Sequence, residues 1–447
     1  MGGAIGSAEP GGNTTMGKTD RRGFLKLTAA GAIGAASLTF GGRAATAQDQ
    51  VTIRYGWWGG TERQQSYTAA LEEFEAANPG IKIEKEFADY DAFQERMTTQ
   101  MAAGDVPEIF WIASPQVLTY EKAGLYRQLD DIPTLDLSDF TEEILETIRI
   151  NGTLNTMPNG VFVPVIRYNE TFAQEDGVEI PTEDSGNWTW ESFQQLLIDY
   201  TNDNANGRVG STYNPTHDLT FEAYLRQRGE QLWTEDGQIG FTVDSLAEWF
   251  NWWETLREAG ATLSVSEQEG VSPDWQLAGD KVLVNFNNSN HIIDDAKAFP
   301  DYTFKMRAMP VSEGAVEGHK YLYYPRMAIY QKIAEDKVEA AGSVVNYIIN
   351  DASFVRTTGL TMGAPINPRV RQEAVEFASD DEKEMLRIVE ADAAAQRNPR
   401  YEAPAGSNNW RTVMVRTAEE ITLGGADIRE ASQRMIDEVA AEIERAR

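Results

Sequence analysis

From residue 51 the chain alternates apolar and polar side chains over Val51-Thr-Ile-Arg-Tyr55, the period of a half-buried strand, and the run ends in Gly56-Trp57-Trp58-Gly59-Gly60. Over Thr61 to Ala77 the spacing changes. Tyr67, Ala70, Leu71 and Phe74 fall three and four apart, which predicts an amphipathic helix. Asn78-Pro79-Gly80 breaks it, and Ile81 to Phe87 alternates again as a second strand. Tyr90 to Ala103 predicts a helix closed by Gly104, and Glu108 to Ala113 a buried strand. Strands and helices in this order predict β-α-β units and a parallel, doubly wound sheet.

The middle of the chain has another character. Between Trp188 and Leu263 the periodicity is helical, over Trp190–Tyr200, Phe221–Gln231 and Ser245–Ala259. The last of these carries Trp249, Phe250, Trp252, Trp253 and Leu256, a stripe read as core packing. Strands are predicted at Lys281–Phe286 and Tyr302–Pro310. Helices follow at Val338–Ile349 and Glu382–Ala395, with a helical C-terminal end over Thr417–Ile421 and Ile428–Arg445.

Composition narrows what such a chain does. At 447 residues it exceeds one ordinary core, so two domains are expected. With 39 Lys+Arg against 70 Asp+Glu the net charge is −31, which disfavours nucleic acid and anionic lipid as partners. Arginines outnumber lysines 27 to 12, a balance suited to a salty environment where repulsion is screened. The absence of cysteine removes disulfides, thiolate metal sites, cysteine nucleophiles and lipid-modified cysteine anchors.

The N-terminus is basic, then apolar, then small. Asp20-Arg21-Arg22-Gly23-Phe24-Leu25-Lys26 precedes the apolar run Leu27–Phe40, and Ala45-Thr46-Ala47 supplies a cleavage point before Gln48. This order predicts a removable signal peptide over 1–47 with the paired arginines of the twin-arginine route, and hence a periplasmic or extracellular mature protein. The apolar run is shorter than the ~20 residues that span a bilayer. Gly12 to Thr19 matches G-x-x-x-x-G-K-T, but no apolar strand precedes it and it lies ahead of the signal, so it is read as coincidence.

The order of motifs resembles the extracellular solute-binding proteins of family 1, the sugar-binding receptors of ABC importers. The resemblance is carried by the Trp57–Gly60 turn, Phe74-Glu-Ala-Ala-Asn-Pro-Gly-Ile81 and Ala103-Gly-Asp-Val-Pro-Glu-Ile-Phe-Trp111. It continues through Val163–Asn169, Trp188-Thr-Trp-Glu-Ser-Phe193, Leu277–Phe286 and Gly363-Ala-Pro-Ile-Asn-Pro-Arg369. Glu108 departs from the usual Asp, the lipid-attachment cysteine is missing, and Asn287-Asn288-Ser289-Asn290-His291 replaces an aromatic residue often found there.

The resemblance implies an α/β, two-lobed periplasmic-binding-protein fold, each lobe a mainly parallel sheet flanked by helices, with the ligand cleft between lobes. It places lobe one at 50–164 plus 312–355 and lobe two at 165–311 plus 356–447. It further implies a monomer that takes up a small solute, a carbohydrate or polyol, by hinge closure and hands it to the permease subunits of an ABC importer.

A sugar offers apolar C–H faces ringed by hydroxyls, so flat aromatics beside planar or charged hydrogen-bonding groups are the chemistry to look for. Trp57 and Trp58 end the first strand, and alternation turns only one toward ligand. Arg167 and Tyr168 follow the first crossing between lobes. Asn287, Asn288 and His291 form a polar cluster after a strand, while Tyr323, Tyr324 and Arg326 follow the second crossing. Asp105 and Ser114 flank the third strand. Trp275, in a loop, could supply a platform, and Trp410 is a late candidate of the same kind.

No cofactor or metal is expected. Asn202-Asp-Asn-Ala-Asn-Gly207 imitates a calcium loop, but its twelfth position is Tyr213 rather than Glu. Tyr323-Tyr324 leaves ferric ion as an alternative ligand, and peptide is another. The chain lacks G-x-S-x-G, H-E-x-x-H and G-x-G-x-x-G, and its three histidines have no metal-ligand spacing. A binding protein is therefore expected rather than an enzyme, with a glycosidase working through paired carboxylates as the alternative.

Overall fold

The computed structural model describes residues 50–268 and 281–447. Among the described residues nine strands form two sheets: β1 (Val51–Trp58), β2 (Ile81–Ala88), β3 (Ile109–Ile112), β4 (Met157–Pro158), β5 (Pro164–Asn169), β6 (Val209–Ser211), β7 (Val282–Asn288), β8 (Phe304–Ala308) and β9 (Arg326–Ile329). The first sheet has the order β2-β1-β3-β9-β4 and the second β6-β7-β5-β8. Helices flank both. Among the described residues no helix is long and apolar enough to cross a membrane.

The opening β-α-β units form as the sequence predicts. Helix α1 spans Thr61–Ala77 and buries Tyr67, Ala70, Leu71 and Phe74. Helix α2 spans Tyr90–Ala103 and stops where Gly104 takes a left-handed conformation at φ 71°, which a residue without a Cβ adopts at least cost. β1 then pairs in parallel with β2, from Val51 opposite Ile81 to Trp58 opposite Ala88, and with β3.

Strand direction departs from expectation. β9 runs antiparallel to both β3 and β4, and in the second sheet β5 runs antiparallel to both β7 and β8, leaving β6–β7 as the parallel pair there. The second sheet is therefore mixed rather than mainly parallel. The reason is connectivity. β1, β3 and β7 run toward the gap between the sheets and end there. β5 and β9 are entered from the gap, just after the chain has crossed it, so they point the other way.

Two apolar cores result. One surrounds the first sheet, taking in Trp57, Tyr55, Trp111 and Phe93, and runs on to one side of the second through Val165, Val282, Phe304 and Met306. The other surrounds the second, where Trp190, Trp249 and Trp253 are buried against one another and against Phe286, confirming that the Trp-rich helix Val243–Glu258 is core. Trp410 is core too, meeting Trp233 edge-on at 5.7 Å. The Asn202–Gly207 segment is the end of helix Trp190–Asp203 and the turn after it, held by Asn204, whose side chain accepts from the Asn206 and Arg208 amides.

Three segments bridge the gap in contact. The Phe162 amide donates to the Tyr323 carbonyl and the Tyr323 amide returns the bond, while Val161 and Ala364 pair in the same reciprocal way. The approach is close: a Cβ on Gly363 would lie 2.2 Å from the Val161 carbonyl oxygen, and one on Gly160 would lie 2.0 Å from that of Met362.

Candidate functional site

A cavity of about 160 Å3 opens where β1, β3 and β7 end. Ligands of open α/β sheets bind outside the carboxyl ends of strands, because loops there are free to vary while the sheet stays fixed. β1 delivers Trp58, and β3 delivers Ile112 and, just beyond it, Ser114. β7 delivers Asn288, with Asn290 and His291 following in a tight turn. The crossing segments contribute Phe162 and Tyr323. The first turn of α1 adds Arg63, the start of α2 adds Tyr90, and helix Trp410–Thr422 adds Arg411.

The walls are aromatic. Trp58 meets Tyr90 edge-on at 5.5 Å and Trp111 at 4.9 Å and 89°, so its ring is fixed from two sides. Opposite, Phe162 and Tyr323 stack at 4.9 Å. The Tyr323 hydroxyl is pushed up by burial, although the Ser114 side chain at that hydroxyl works against the shift.

Polar groups lie at the lining and behind it. Buried Asn287 accepts from the Asn288 amide at 2.8 Å and lies 2.9 Å from Nδ1 of His291, which places the imidazole proton on Nδ1. Burial, reinforced by the cations Arg167 and Arg63 and by His217, pushes the His291 pKa well below the ordinary imidazole range. His217 caps helix Asp218–Gln227 by accepting from the Thr220 amide; burial above all, with Arg411 and Arg167 adding to it against the pull of Asp218, lowers it to about 4. Both rings are thus neutral near pH 7.

The two arginines of the lining differ in their partners. Arg411 is paired with buried Asp218, Nε to Oδ2 at 2.8 Å with a second bond from Nη2. Burial tends to raise the Asp218 pKa, yet Arg411 and His217 hold it below the ordinary carboxylate value. Arg63 has no carboxylate within ion-pair distance among the described residues, and its one hydrogen bond there runs from Nη2 to the Thr361 carbonyl at 3.3 Å. That same carbonyl accepts from Asn290 at 2.8 Å.

Several expected residues lie elsewhere. Trp57 is fully buried, stacked against Tyr67 at 5.9 Å, so alternation turns Trp58 and not Trp57 to the cavity. Asp105 stands at the other end of the sheet, exposed, 2.7 Å from Arg54. Arg167 and Tyr168 sit three and four residues along a strand that starts at the gap, so about 3.4 Å per residue carries them away from it. Arg167 is fully buried and ion-paired with Asp295; Tyr168 packs under Arg307.

Asn287 braces His291 and does not line the cavity. Tyr324 turns to Thr147, and Arg326 is buried, donating to the Ile148 carbonyl and to Glu402. Trp275 lies outside the described residues. Trp58, Ser114, Asn288, His291 and Tyr323 do line the cavity. Sequence reading missed Arg63, Tyr90, Phe162, Asn290 and Arg411. Asn290 was inside the polar cluster already noted, and Arg411 adjoined Trp410. Nothing in the local pattern marked Arg63.

Two other cavities have different surroundings. One of about 20 Å3 lies behind Tyr67 and Phe354, and one of about 150 Å3 lies beside Arg226, His319 and Asn398. The smaller abuts β4 at Pro158 and shares Met362 with the main cavity, and neither touches the ends of β1, β3 and β7. Among the described residues no group of three His, Cys, Asp or Glu is arranged to hold a metal ion.

The chain has known relatives. The family model for bacterial extracellular solute-binding proteins matches residues 69–385. A binding protein of Brucella abortus is 21% identical over 197 residues, 42% of this chain and 46% of that protein, so the match spans less than half the length of that relative. Among solved structures, a periplasmic oligogalacturonide-binding protein from Yersinia enterocolitica, in complex with saturated digalacturonic acid, superposes with a TM-score of 0.76 at 18% identity, covering 89% of this chain and 100% of the other. An ABC substrate-binding protein from Listeria monocytogenes, in complex with cycloalternan, gives 0.71 at 17% identity, covering 89% and 100%. At such identities the likeness is one of fold.

Proposed function

The chain belongs to the bacterial extracellular solute-binding proteins, and on that premise we propose that it captures a small polar solute, a mono- or oligosaccharide or a polyol, and presents it to the membrane subunits of an ABC importer. One observation carries the ligand class: the cavity at the strand ends pairs flat aromatic faces with planar amides and a guanidinium. Trp58, Tyr90, Phe162 and Tyr323 suit the C–H faces of a sugar ring, and Asn288, His291 and Ser114 suit its hydroxyls. The ligands held by the Yersinia and Listeria proteins support the same class.

Capture by closure of two lobes follows from this reading, as in periplasmic binding proteins generally. Lobe one is built on the first sheet and lobe two on the second. The late boundary is proposed to fall after residue 374 rather than at 355, because helix Ala352–Thr358 packs on α1 and helix Pro368–Ala374 packs on it in turn. Export of a monomer through the twin-arginine route, with the signal removed before Gln48, completes the proposal.

The test is a thermal-shift screen of the protein against sugars, polyols, peptides and ferric ion, since a ligand that binds the native state raises its Tm. A rise of several degrees with a sugar or polyol is expected. A rise only with peptide or ferric ion overturns the ligand class. Recovery of shortened product from labelled oligosaccharides overturns the receptor reading in favour of an enzyme.

A further inference from the structure

The lining of the cavity is unequal in charge. Arg411 is neutralised by its bidentate pairing with Asp218, and both nearby histidines are neutral. Arg63 is left as a cation whose only hydrogen-bond partner among the described residues is one backbone carbonyl. Arg63 draws down the pKa of Asp294, which burial raises, without lying at ion-pair distance from it, and Asp295 is committed to Arg167. Arg63 is also held in place. Its side chain lies on Gly59 so closely that a Cβ there would come within 2.6 Å of Arg63 Cδ. Among the described residues the guanidinium Nη1 has no acceptor, and Nε is buried without one, in a residue that lines the cavity.

Asn288 lines the same cavity, and its side-chain amide bonds to no described protein group through either its oxygen or its nitrogen, the oxygen being buried. A buried amide without partners costs free energy until something supplies a donor and an acceptor together. A hydroxyl supplies both. Arg63 asks for something different, a planar anion that its two Nη groups can bind side by side. A bare inorganic anion would satisfy Arg63 and leave Asn288 and four aromatic faces unused. A neutral sugar would satisfy Asn288 and the rings while further drying an unpaired cation.

Resting on the solute-capture reading above, we propose that the solute is an acidic carbohydrate of the uronate class, its carboxylate on Arg63, its hydroxyls on Asn288 and its ring between Trp58 and the Phe162–Tyr323 stack. Arg63 is then the residue that sets the choice of acidic over neutral sugars. On a chain of net charge −31 this cation also gives an anion one place to settle on an otherwise repelling surface.

Titration calorimetry on the full chain tests this with D-glucuronate, D-galacturonate and digalacturonate beside D-glucose, D-galactose and maltose, and with acetate as the bare anion. A uronate is expected to bind at least tenfold more tightly than its neutral counterpart and than acetate. Arg63→Gln should lower uronate affinity tenfold or more and change neutral-sugar affinity by less than threefold, with Arg63→Lys between. Asn288→Asp, which places a carboxylate opposite, should weaken uronates more than neutral sugars, and it makes the test independent of Arg63. Neutral sugars binding as tightly as uronates would overturn the acidic class while leaving solute capture standing. A uronate preference that survives Arg63→Gln would overturn the role of Arg63. Binding of none of these sugars would overturn both readings.

Discussion

Phe162 and Tyr323 face each other from two separate crossings of the gap between the sheets, their rings stacked 4.9 Å apart at 27° and their amides bonded to each other's carbonyls. A cavity wall and a chain crossing are thus the same structure. Tyr323→Ala is expected to weaken solute binding by tenfold or more. It should also cost about 1–2 kcal/mol of stability, as Phe162 loses a stacked partner. Calorimetric affinity and urea unfolding of one variant measure both.

The neighbouring tryptophans should separate cleanly. Trp57→Ala removes a fully buried side chain and is expected to cost about 3–5 kcal/mol. Trp58→Ala should cost much less and abolish the ligand-induced rise in Tm. A Trp58→Ala protein that still shifts with solute would remove Trp58 from the site.

Much of the fold is legible in the residues, and what is not has a common cause. Period and punctuation predict α1 and α2 end to end, because Tyr67, Ala70, Leu71 and Phe74 have to share a face and Gly104 has to turn. Direction is not periodic: β5 alternates in the same way whichever way it runs, and only the crossing before it makes it antiparallel. The site suffers from the same blindness. Arg167 and Tyr168 follow a crossing in sequence, yet the strand leads away from the gap, whereas Arg63 reaches the cavity because α1 begins there. Alternation turns one of Trp57 and Trp58 outward without saying which, and in the structure it is Trp58 that lines the cavity.

Arg167 and Asp295 form a fully buried ion pair beneath the second sheet. Burial raises the Asp295 pKa to about 7 even against the pull of Arg167, so the pair holds a costly charge. Asp295→Asn, which takes the compensating charge from a buried guanidinium, is expected to cost about 3–5 kcal/mol, whereas Arg167→Met with Asp295→Leu should lie far closer to the parent. Denaturant midpoints of the single and double variants give the comparison.

Acid should weaken the fold through His217. In the unfolded chain this imidazole takes up a proton near pH 6.5; in the folded protein it stays neutral down to about 4. The unfolded state therefore binds more protons in that window, and stability falls as pH drops through it. His217→Asn keeps an acceptor for the Thr220 amide and removes the titration, so the acid limb should flatten by on the order of 2 kcal/mol. His291, displaced the same way, leaves part of the slope in place. Unfolding curves between pH 7.5 and 4 read this directly.

Gly363 and Gly160 are expected to tolerate no side chain. Alanine at 363 would need φ near +94° and a Cβ against the Val161 carbonyl. A loss of about 2–4 kcal/mol is expected, and solute affinity should fall with it, since Met362 lines the cavity.

Ala364, Val161–Phe162 and Tyr323 are laced side by side by main-chain bonds into a single strap across the gap. Separate cords would let one half of the molecule slide, swivel or splay against the other. A laced strap folds along its width and resists slippage of one cord past its neighbour, since that would break paired bonds. On the solute-capture reading proposed above, such a strap would leave the two halves close to one degree of freedom, as a binding leaves pages, and would offer a membrane partner a single angle to read.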